Sequence, residues 1–501
     1  MATETELKLS LSDAGERKLA AHDAFRAPAA SDPRRERIVT TYFDTADHAL
    51  ARLGVSLRVR RAGQGRVQTV KATAAAGSPS RGEWEWKIDS DEPDLSLTRD
   101  TPLAEGLPEG AQLQATVVTD VMRTTRLLHL RDATIEAAFD EGTIQAGEAR
   151  ERIRELELEL REGSQVALYR LALTLHAAAP LALEVDSKAV RGARMEAGDP
   201  PAPVKADPPD LPKGSSAAEA LRIVVARALG HVLANKTAAL AGVPEGIHQA
   251  RTGLRRLRSA LALFAPLLDP RARVAFNEEM RRLGRSIGEA RDWDVFCEER
   301  LTGAFADLEE PGWGRLLREA AEGEREGAHR RAAAEIAGPA FTSLALGLGA
   351  WSEEGARDAR LIGRGALKQD IARLAPGLLE ALLKKTRRRA AMARDKSATE
   401  LHPLRKSLKK LRYAVEFLSR LYPEKKIRAY LKRMKKLQDA LGDLNDAATA
   451  SLMARGLARG RVEIGVAAAQ FQAKQDKDAA KARRQFERQW KKFEKERPFW
   501  L

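Results

Sequence analysis

The chain divides by the period of its hydrophobic positions. Up to about residue 198, apolar and polar residues alternate in short runs, at Glu4 to Leu9, Val55 to Arg60, Gly82 to Ile88 and Glu155 to Leu160. A period of two predicts strands with one apolar and one polar face. Beyond about residue 215, apolar residues recur three and four apart, as in Leu254, Leu257, Leu261 and in Leu404, Leu408, Leu411, Val415. That spacing predicts amphipathic helices. Between the two patterns lies DPPAPVKADPPDLPKG, Asp199 to Gly214, too rich in proline to continue a helix or a central strand. The expected organisation is a strand-rich domain over 1–198, a proline-rich linker over 199–214 and an all-helical domain over 215–501.

The helical part repeats itself. IHQARTGLRRLRSALALF at 247–264 aligns without a gap on LHPLRKSLKKLRYAVEFL at 401–418, an offset of 154 residues. Under that shift His248 meets His402, Arg251 meets Arg405 and Arg258 meets Arg412. Gly288 falls on Gly442, and Asp292 on Asp446. Two copies of one helical unit are expected, over about 215–350 and 375–501, packed about a pseudo-twofold axis.

At 501 residues, 44% of them hydrophobic, the chain has material for two cores. The single cysteine, Cys297, excludes an intramolecular disulfide framework. The opening MATETELKLS lacks the layout of a secretory signal, and the longest apolar stretch, Ala340 to Trp351, is shorter than the roughly 20 residues that cross a bilayer. A cytoplasmic protein without a membrane partner is expected. The net charge of +15 is lopsided: residues 211–501 hold 58 Lys+Arg against 36 Asp+Glu, and residues 1–210 hold 28 against 35. The basic half attracts a polyanion, and charge alone does not choose among nucleic acid, an anionic surface and polyphosphate.

In the first domain, alternation puts Glu4, Glu6 and Lys8 on one strand face, and does the same for Arg58 with Arg60, for the polar positions of Val67 to Lys71, for Glu83, Glu85 and Lys87, and for Glu155, Glu157 and Glu159. One such run is ordinarily a solvated face. Several in one domain predict a closed sheet with a wet, charged interior. Arg and Lys grip phosphate oxygens while carboxylates hold Mg²⁺ or Mn²⁺ against them, which suits a linear polyphosphate or a nucleoside triphosphate. No Walker-type glycine loop accompanies these residues.

Glu4-x-Glu6-x-Lys8, TYFDTAD at 41–47, LRVR at 57–60, ELELEL at 155–160 and SKAVRG at 187–192 together resemble the CYTH superfamily of triphosphate tunnel metalloenzymes. The resemblance covers residues 1 to about 195. It implies an α+β architecture in which a closed antiparallel barrel with flanking helices precedes the all-α domain of two repeated bundles. It implies that Lys8, Arg58, Arg60, Lys71, Arg123 and Lys188 line a phosphate-binding wall, with Arg126 as an addition. Glu4, Glu6, Glu155, Glu157, Glu159 and Asp140 would hold or support the divalent metal. Glu83 and Glu85 match acidic positions, and Glu85 joins Lys8, Arg58 and Arg60 in the expected catalytic set. The implied activity is a Mg²⁺- or Mn²⁺-dependent inorganic triphosphatase releasing pyrophosphate and phosphate. The alternatives are a class IV-type adenylate cyclase, for which no element reads as a purine pocket, a thiamine-triphosphatase, and a polyphosphate- or nucleic-acid-binding protein without turnover.

His248, Arg251, Arg255 and Arg258 step by three, four and three along one helix face, and His402, Arg405, Lys409 and Arg412 repeat the stripe. Stacked like charges repel, so a bound anion is a natural reason for them. These residues resemble the CHAD domain over about 215–501, which implies a polyphosphate-binding groove. The residues carried over are His248, Arg251, Arg255, Arg256, Arg258, His402, Arg405, Lys406, Lys409, Lys410 and Arg412. Asp292, Asp294, Asp443 and Asp446 follow the repeated glycines, where they would accept hydrogen bonds at a helix terminus or orient arginines. The expected partners are triphosphate and polyphosphate, with nucleic acid ranked below them, and the expected location includes polyphosphate granules.

Overall fold

Period-two alternation makes strands throughout the first 184 residues. The computed structural model describes residues 5–26, 28–72, 82–107, 110–268, 270–304, 312–355, 364–392 and 400–501. In it the strands are β1 (Glu6–Ser10), β2 (Arg34–Thr45), β3 (Val55–Ala62), β4 (Gly65–Ala72), β5 (Gly82–Ile88), β6 (Leu113–His129), β7 (Ala133–Ala146), β8 (Ala149–Gly163) and β9 (Ala182–Glu184). They form one antiparallel sheet in the order β5-β4-β3-β2-β6-β7-β8-β1-β9. Among the described residues no ladder joins β5 to β9, so the sheet is open where a closed barrel was expected. The edges do not match: β9 has three residues and β5 seven, and closure needs strands of compatible length and stagger.

Each half of the sheet has an apolar back. Leu7, Leu9, Leu156, Leu158, Ala137 and Phe139 share one face by register, and the helix Gln165–Ala178 covers it with buried Leu168, Leu171 and Leu175. Each fully buried Leu contributes about 2 kcal/mol. On the β3–β4 side Phe43, Leu50, Val55, Leu57, Val59, Val70 and Leu103 make a second core. The other face of the sheet carries the charged residues beside a third apolar cluster of Ile38, Val117, Val121, Ile144 and Ile153.

The chain falls into two compact units, residues 1–201 with 338–350, and residues 202–337 with 351–501. The second is helical: Ala217–Ala234, Pro244–Leu263, Pro270–Asp294, Gly312–Ala337, Ile371–Ala391, His402–Phe417, Glu424–Leu457 and Val462–Glu494 are its long helices. The proline-rich stretch has neither helix nor strand, and from Ala202 onward it belongs to this unit. Its Val204 N–H donates to Asn235 Oδ1 at 2.9 Å, and the Asn235 amide returns a bond to the Val204 carbonyl at 2.9 Å. Gly288 and Gly442 lie inside helices, so the aspartates after them orient arginines and cap nothing. Phe486 and Phe493 of the last helix are buried, and the Phe493 ring stands 5.5 Å from that of Tyr430. Among the described residues no single helix is long and apolar enough to cross a bilayer.

Candidate functional site

Directly opposed residues in antiparallel strands share a face. Lys8 lies opposite Glu157, and Glu6 opposite Glu159. Asp140 lies opposite Glu155 on one side and Arg123 on the other. Across β2, Tyr42 is opposite Arg58 and Thr40 opposite Arg60. Arg58 then meets Thr69, Thr69 meets Glu85, and Lys71 meets Glu83. The register thus puts Lys8, Arg58, Arg60, Lys71, Arg123, Glu6, Glu83, Glu85, Asp140, Glu155, Glu157 and Glu159 on one face. Arg126 is a correction: three residues from Arg123, it has the opposite parity, lies opposite Ala137 on the apolar face, and donates to the Ser31 carbonyl at 3.0 Å. Glu4 lies outside the described residues.

At the centre of the acidic half is a knot of buried charge. Arg123 donates to both oxygens of Asp140 at 2.6 Å and to Glu157 at 2.5 Å. The Lys188 ammonium lies 2.7 Å from Glu157, 2.9 Å from Asp140 and 2.9 Å from Glu155. Asp140 and Glu155 are each 2% exposed, so these contacts take the place of solvent. Burial alone would raise the Glu157 carboxyl, but Lys188, Arg123 and Lys8 outweigh it and hold the group far below the usual carboxylate range. Burial likewise opposes the Lys188 charge, and Glu157, Asp140 and Glu155 raise it well above an ordinary lysine.

SKAVRG builds this knot from a helix start. Ser187 caps Lys188–Ala197, accepting from the Val190 N–H. One turn on, Arg191 reaches Glu155 and Glu151. Arg191 was not among the expected site residues, though its i,i+3 relation to Lys188 was readable. Gly192 lets the helix lie against the sheet, since a Cβ there would stand 2.2 Å from Val117 Cγ1. Gly192→Ala is therefore expected to cost about 1–3 kcal/mol by overpacking, seen as a lower melting temperature that Val117→Ala partly restores. TYFDTAD acts locally: Asp44, buried, accepts the N–H groups of Leu50 and Ala51 at the start of a short helix.

The other half of the face has spare positive charge. Lys71 pairs with Glu83 at 2.8 Å, and Arg58 stands 3.7 Å from the same oxygen. Lys8 pairs with Glu6 at 2.8 Å. Glu85 accepts from the Thr69 hydroxyl at 3.1 Å. Among the described residues the Nε of Arg58 and of Arg60 has no partner. Burial lowers the Arg60 pKa, and Arg58 and Arg123 lower it further, so three guanidiniums act on one another across the face. Asp140, Glu155 and Glu157 offer hard oxygens of the kind Mg²⁺ and Mn²⁺ take, and here one ammonium gathers all three. Among the described residues no group of three His, Cys, Asp or Glu stands arranged as a metal cage.

In the helical unit, Arg251 pairs with Asp292 at 2.7 Å and Arg405 with Asp446 at 3.6 Å, two contacts related by the same offset of 154. The helices Pro244–Leu263 and His402–Phe417 pack together. Lys409 is pushed down to about 5 by burial and by Arg255, Arg405 and Arg251. His248 is pushed down to about 4 by burial and Arg291, and His402 is lowered by burial and Lys406. Two expected groove residues are engaged elsewhere. Arg256, 5% exposed, pairs with Glu416 at 2.7 Å and lies over the Phe417 ring at 5.1 Å, and Arg412 takes the other oxygen of Glu416 at 2.7 Å. Asp294, wholly buried, accepts from Arg325 and bonds to the His329 ring.

A model of the CYTH domain matches residues 2–193, and a model of the CHAD domain matches residues 223–455. The chain therefore belongs to the proteins that carry a CYTH domain at the N-terminus and a CHAD domain at the C-terminus. It is 35% identical over 155 residues to an inorganic triphosphatase of Haemophilus influenzae, a stretch covering 30% of this chain and 44% of that protein. The crystal structure of the CHAD domain from the plant Ricinus communis is 29% identical, with a TM-score of 0.52, covering 59% of this chain and 98% of that one.

Proposed function

We propose that the CYTH domain is a metal-dependent inorganic triphosphatase, cleaving triphosphate to pyrophosphate and phosphate, and that the CHAD domain, as two repeated bundles, binds polyphosphate. The observation that carries the first part is the shared sheet face, acidic on β7 and β8 and bearing on β3 two guanidiniums, Arg58 and Arg60, that share few carboxylate partners. Arg58, Arg60, Lys71 and Lys8 bind the phosphate chain, and Arg123 and Lys188 fix the carboxylates beside it. Glu6, Asp140, Glu155, Glu157 and Glu159 are the residues that would hold Mg²⁺ or Mn²⁺, which when bound neutralises charge on the phosphoryl oxygens. Among the described residues Glu85 accepts from Thr69 and has no ion pair, so it is free to take a proton from the attacking water. The water oxygen bonds to the terminal phosphorus, the phosphoanhydride bond breaks, pyrophosphate leaves, and the arginines stabilise the in-line transition state. The location that suits both ligands is the cytoplasm, beside polyphosphate granules.

A substrate panel tests this. Tripolyphosphate, thiamine triphosphate and ATP, each with Mg²⁺ or Mn²⁺, are expected to give phosphate release fastest with tripolyphosphate, and Lys8→Ala is expected to slow it by about 10²-fold. Cyclic AMP from ATP without free phosphate would replace the hydrolase by a cyclase.

A further inference from the structure

We propose that the last helix, Val462–Glu494, binds double-stranded DNA through its phosphates, on a cationic ridge separate from both sites described above. This helix lies beyond residue 455, where the match to the CHAD model ends. Ile464, Ala467, Phe471, Ala482, Phe486 and Phe493, at helical spacing, are buried and fix its underside. Two rows of cations run along the outside. Lys474, Lys481, Arg488 and Lys495, the last at the C-cap, recur every seven residues, and so do Lys477, Arg484 and Lys491. All seven are exposed.

Seven residues are close to two helical turns, so each row runs nearly parallel to the axis, and the three-residue step between the rows sets them about 60° apart. From Lys474 to Lys495 the ridge is about 32 Å long. An exposed helix ordinarily interleaves the two signs of charge as i,i+4 pairs. Here the acidic residues of the same stretch, Asp476, Asp478, Glu487 and Glu494, all fall at other positions around the helix. Glu487 pairs at 3.5 Å with Arg483, which belongs to neither row. Among the described residues none of the seven cations has an ion-pairing carboxylate. Charge sorted in this way makes a positive field along the helix, which an extended polyanion neutralises over its whole length.

The form of the partner follows from the shape of the ridge. Convex and doubled, it meets two phosphate chains together, as at the groove of a duplex, whereas a single thread of phosphates engages one row. B-form DNA opens its major groove to about 12 Å, enough to admit a helix, and the major groove of A-form RNA is deep and narrow. One turn of the B-form duplex, roughly 34 Å, matches the length of the ridge. Single strands are held by stacking on aromatic rings, and Phe486 and Phe493 are buried. A membrane-surface helix inserts an apolar face, and the apolar face here packs against Glu424–Leu457 and Gly312–Ala337. Contacts made to phosphates alone carry no base sequence.

The test is fluorescence anisotropy of the full-length protein with two DNA duplexes of unrelated sequence, each about two turns long, over a range of salt, beside Lys477→Ala/Arg484→Ala/Lys491→Ala. Both duplexes are expected to bind alike, with log K falling by about six for each tenfold rise in salt. The triple variant is expected to make that slope shallower by about three for both. Its tripolyphosphate hydrolysis, affinity for long polyphosphate and melting temperature are expected to match the parent's, because the three side chains are exposed and lie outside both proposed sites. An unchanged slope in the variant puts the DNA elsewhere on the basic half and overturns the ridge. Duplex RNA held as tightly as DNA overturns the choice of partner, as does an equal loss of affinity in the variant for long polyphosphate or for phosphatidylserine vesicles. No binding of either duplex at low salt overturns the proposal outright.

Discussion

Arg60→Ala is expected to lower triphosphate hydrolysis by about 10²–10³-fold and to leave the melting temperature unchanged or higher. The rate estimate follows from removing one preorganised charge that faces the transferred phosphoryl group. The stability estimate follows from what surrounds Arg60. Among the described residues its Nε has no partner, burial disfavours its charge, and Arg58 and Arg123 repel it. Removing such a cation relieves repulsion and strands no carboxylate, the usual signature of a residue kept for function at the expense of stability. Glu157→Gln is the contrast, because it leaves Arg123 and Lys188 short of a buried counter-charge. Breaking a buried pair from one side costs about 3–5 kcal/mol, so that variant should lose both rate and stability. Steady-state kinetics with tripolyphosphate and a thermal melt on the same samples separate the two. A melt of Arg60→Ala as depressed as that of Glu157→Gln would make Arg60 a structural cation and remove the phosphate wall.

The charged face was legible because alternation is a local property. Glu6, Lys8, Arg58, Arg60, Glu155 and Glu157 each sit in a run whose parity can be counted, and register then places the runs side by side. Arg126, carried over by resemblance, fails the same rule, since three residues on a strand reverse the face. Closure of the sheet was not legible, because it depends on whether strands at the two ends of the order meet, and β9 comes from a three-residue run that no period detects. In the helical domain the stripe was readable, but its division was not. Arg256 and Arg412 look like groove residues until Glu416 is seen to hold both. Of that arrangement only the i,i+4 relation of Arg412 to Glu416 was open to sequence reasoning. Lys385 and Arg389 belong to a helix outside the repeated motif, so only folding brings them to Lys406 and Lys410.

Polyphosphate affinity is expected to fall about tenfold for each pH unit between 6 and 8. Lys409 lies among Arg251, Arg255 and Arg405, with Asp446 as an acidic neighbour, and is pushed down to about 5 by burial and the three guanidiniums. In the free protein it is then neutral across this window. A bound polyanion favours the charged form, so binding takes up a proton, and one linked proton changes the binding constant tenfold per pH unit. Lys410, lowered to about 8 by burial and Arg258, stays charged until the top of the range and then adds to the loss. The sign for folding is opposite. Unfolded, Lys409 keeps its ordinary pKa near 10.4, so between pH 5 and that value the unfolded chain binds the extra proton and stability without ligand rises with pH. Titration calorimetry in two buffers of different ionisation enthalpy counts the protons directly, with about one taken up per protein at pH 7. Lys409→Met should abolish that uptake, flatten the pH profile and raise the melting temperature of the ligand-free protein. Binding without proton uptake in the unsubstituted protein would mean that Lys409 is already charged, and that its three arginine neighbours are farther from it in solution than in this fold.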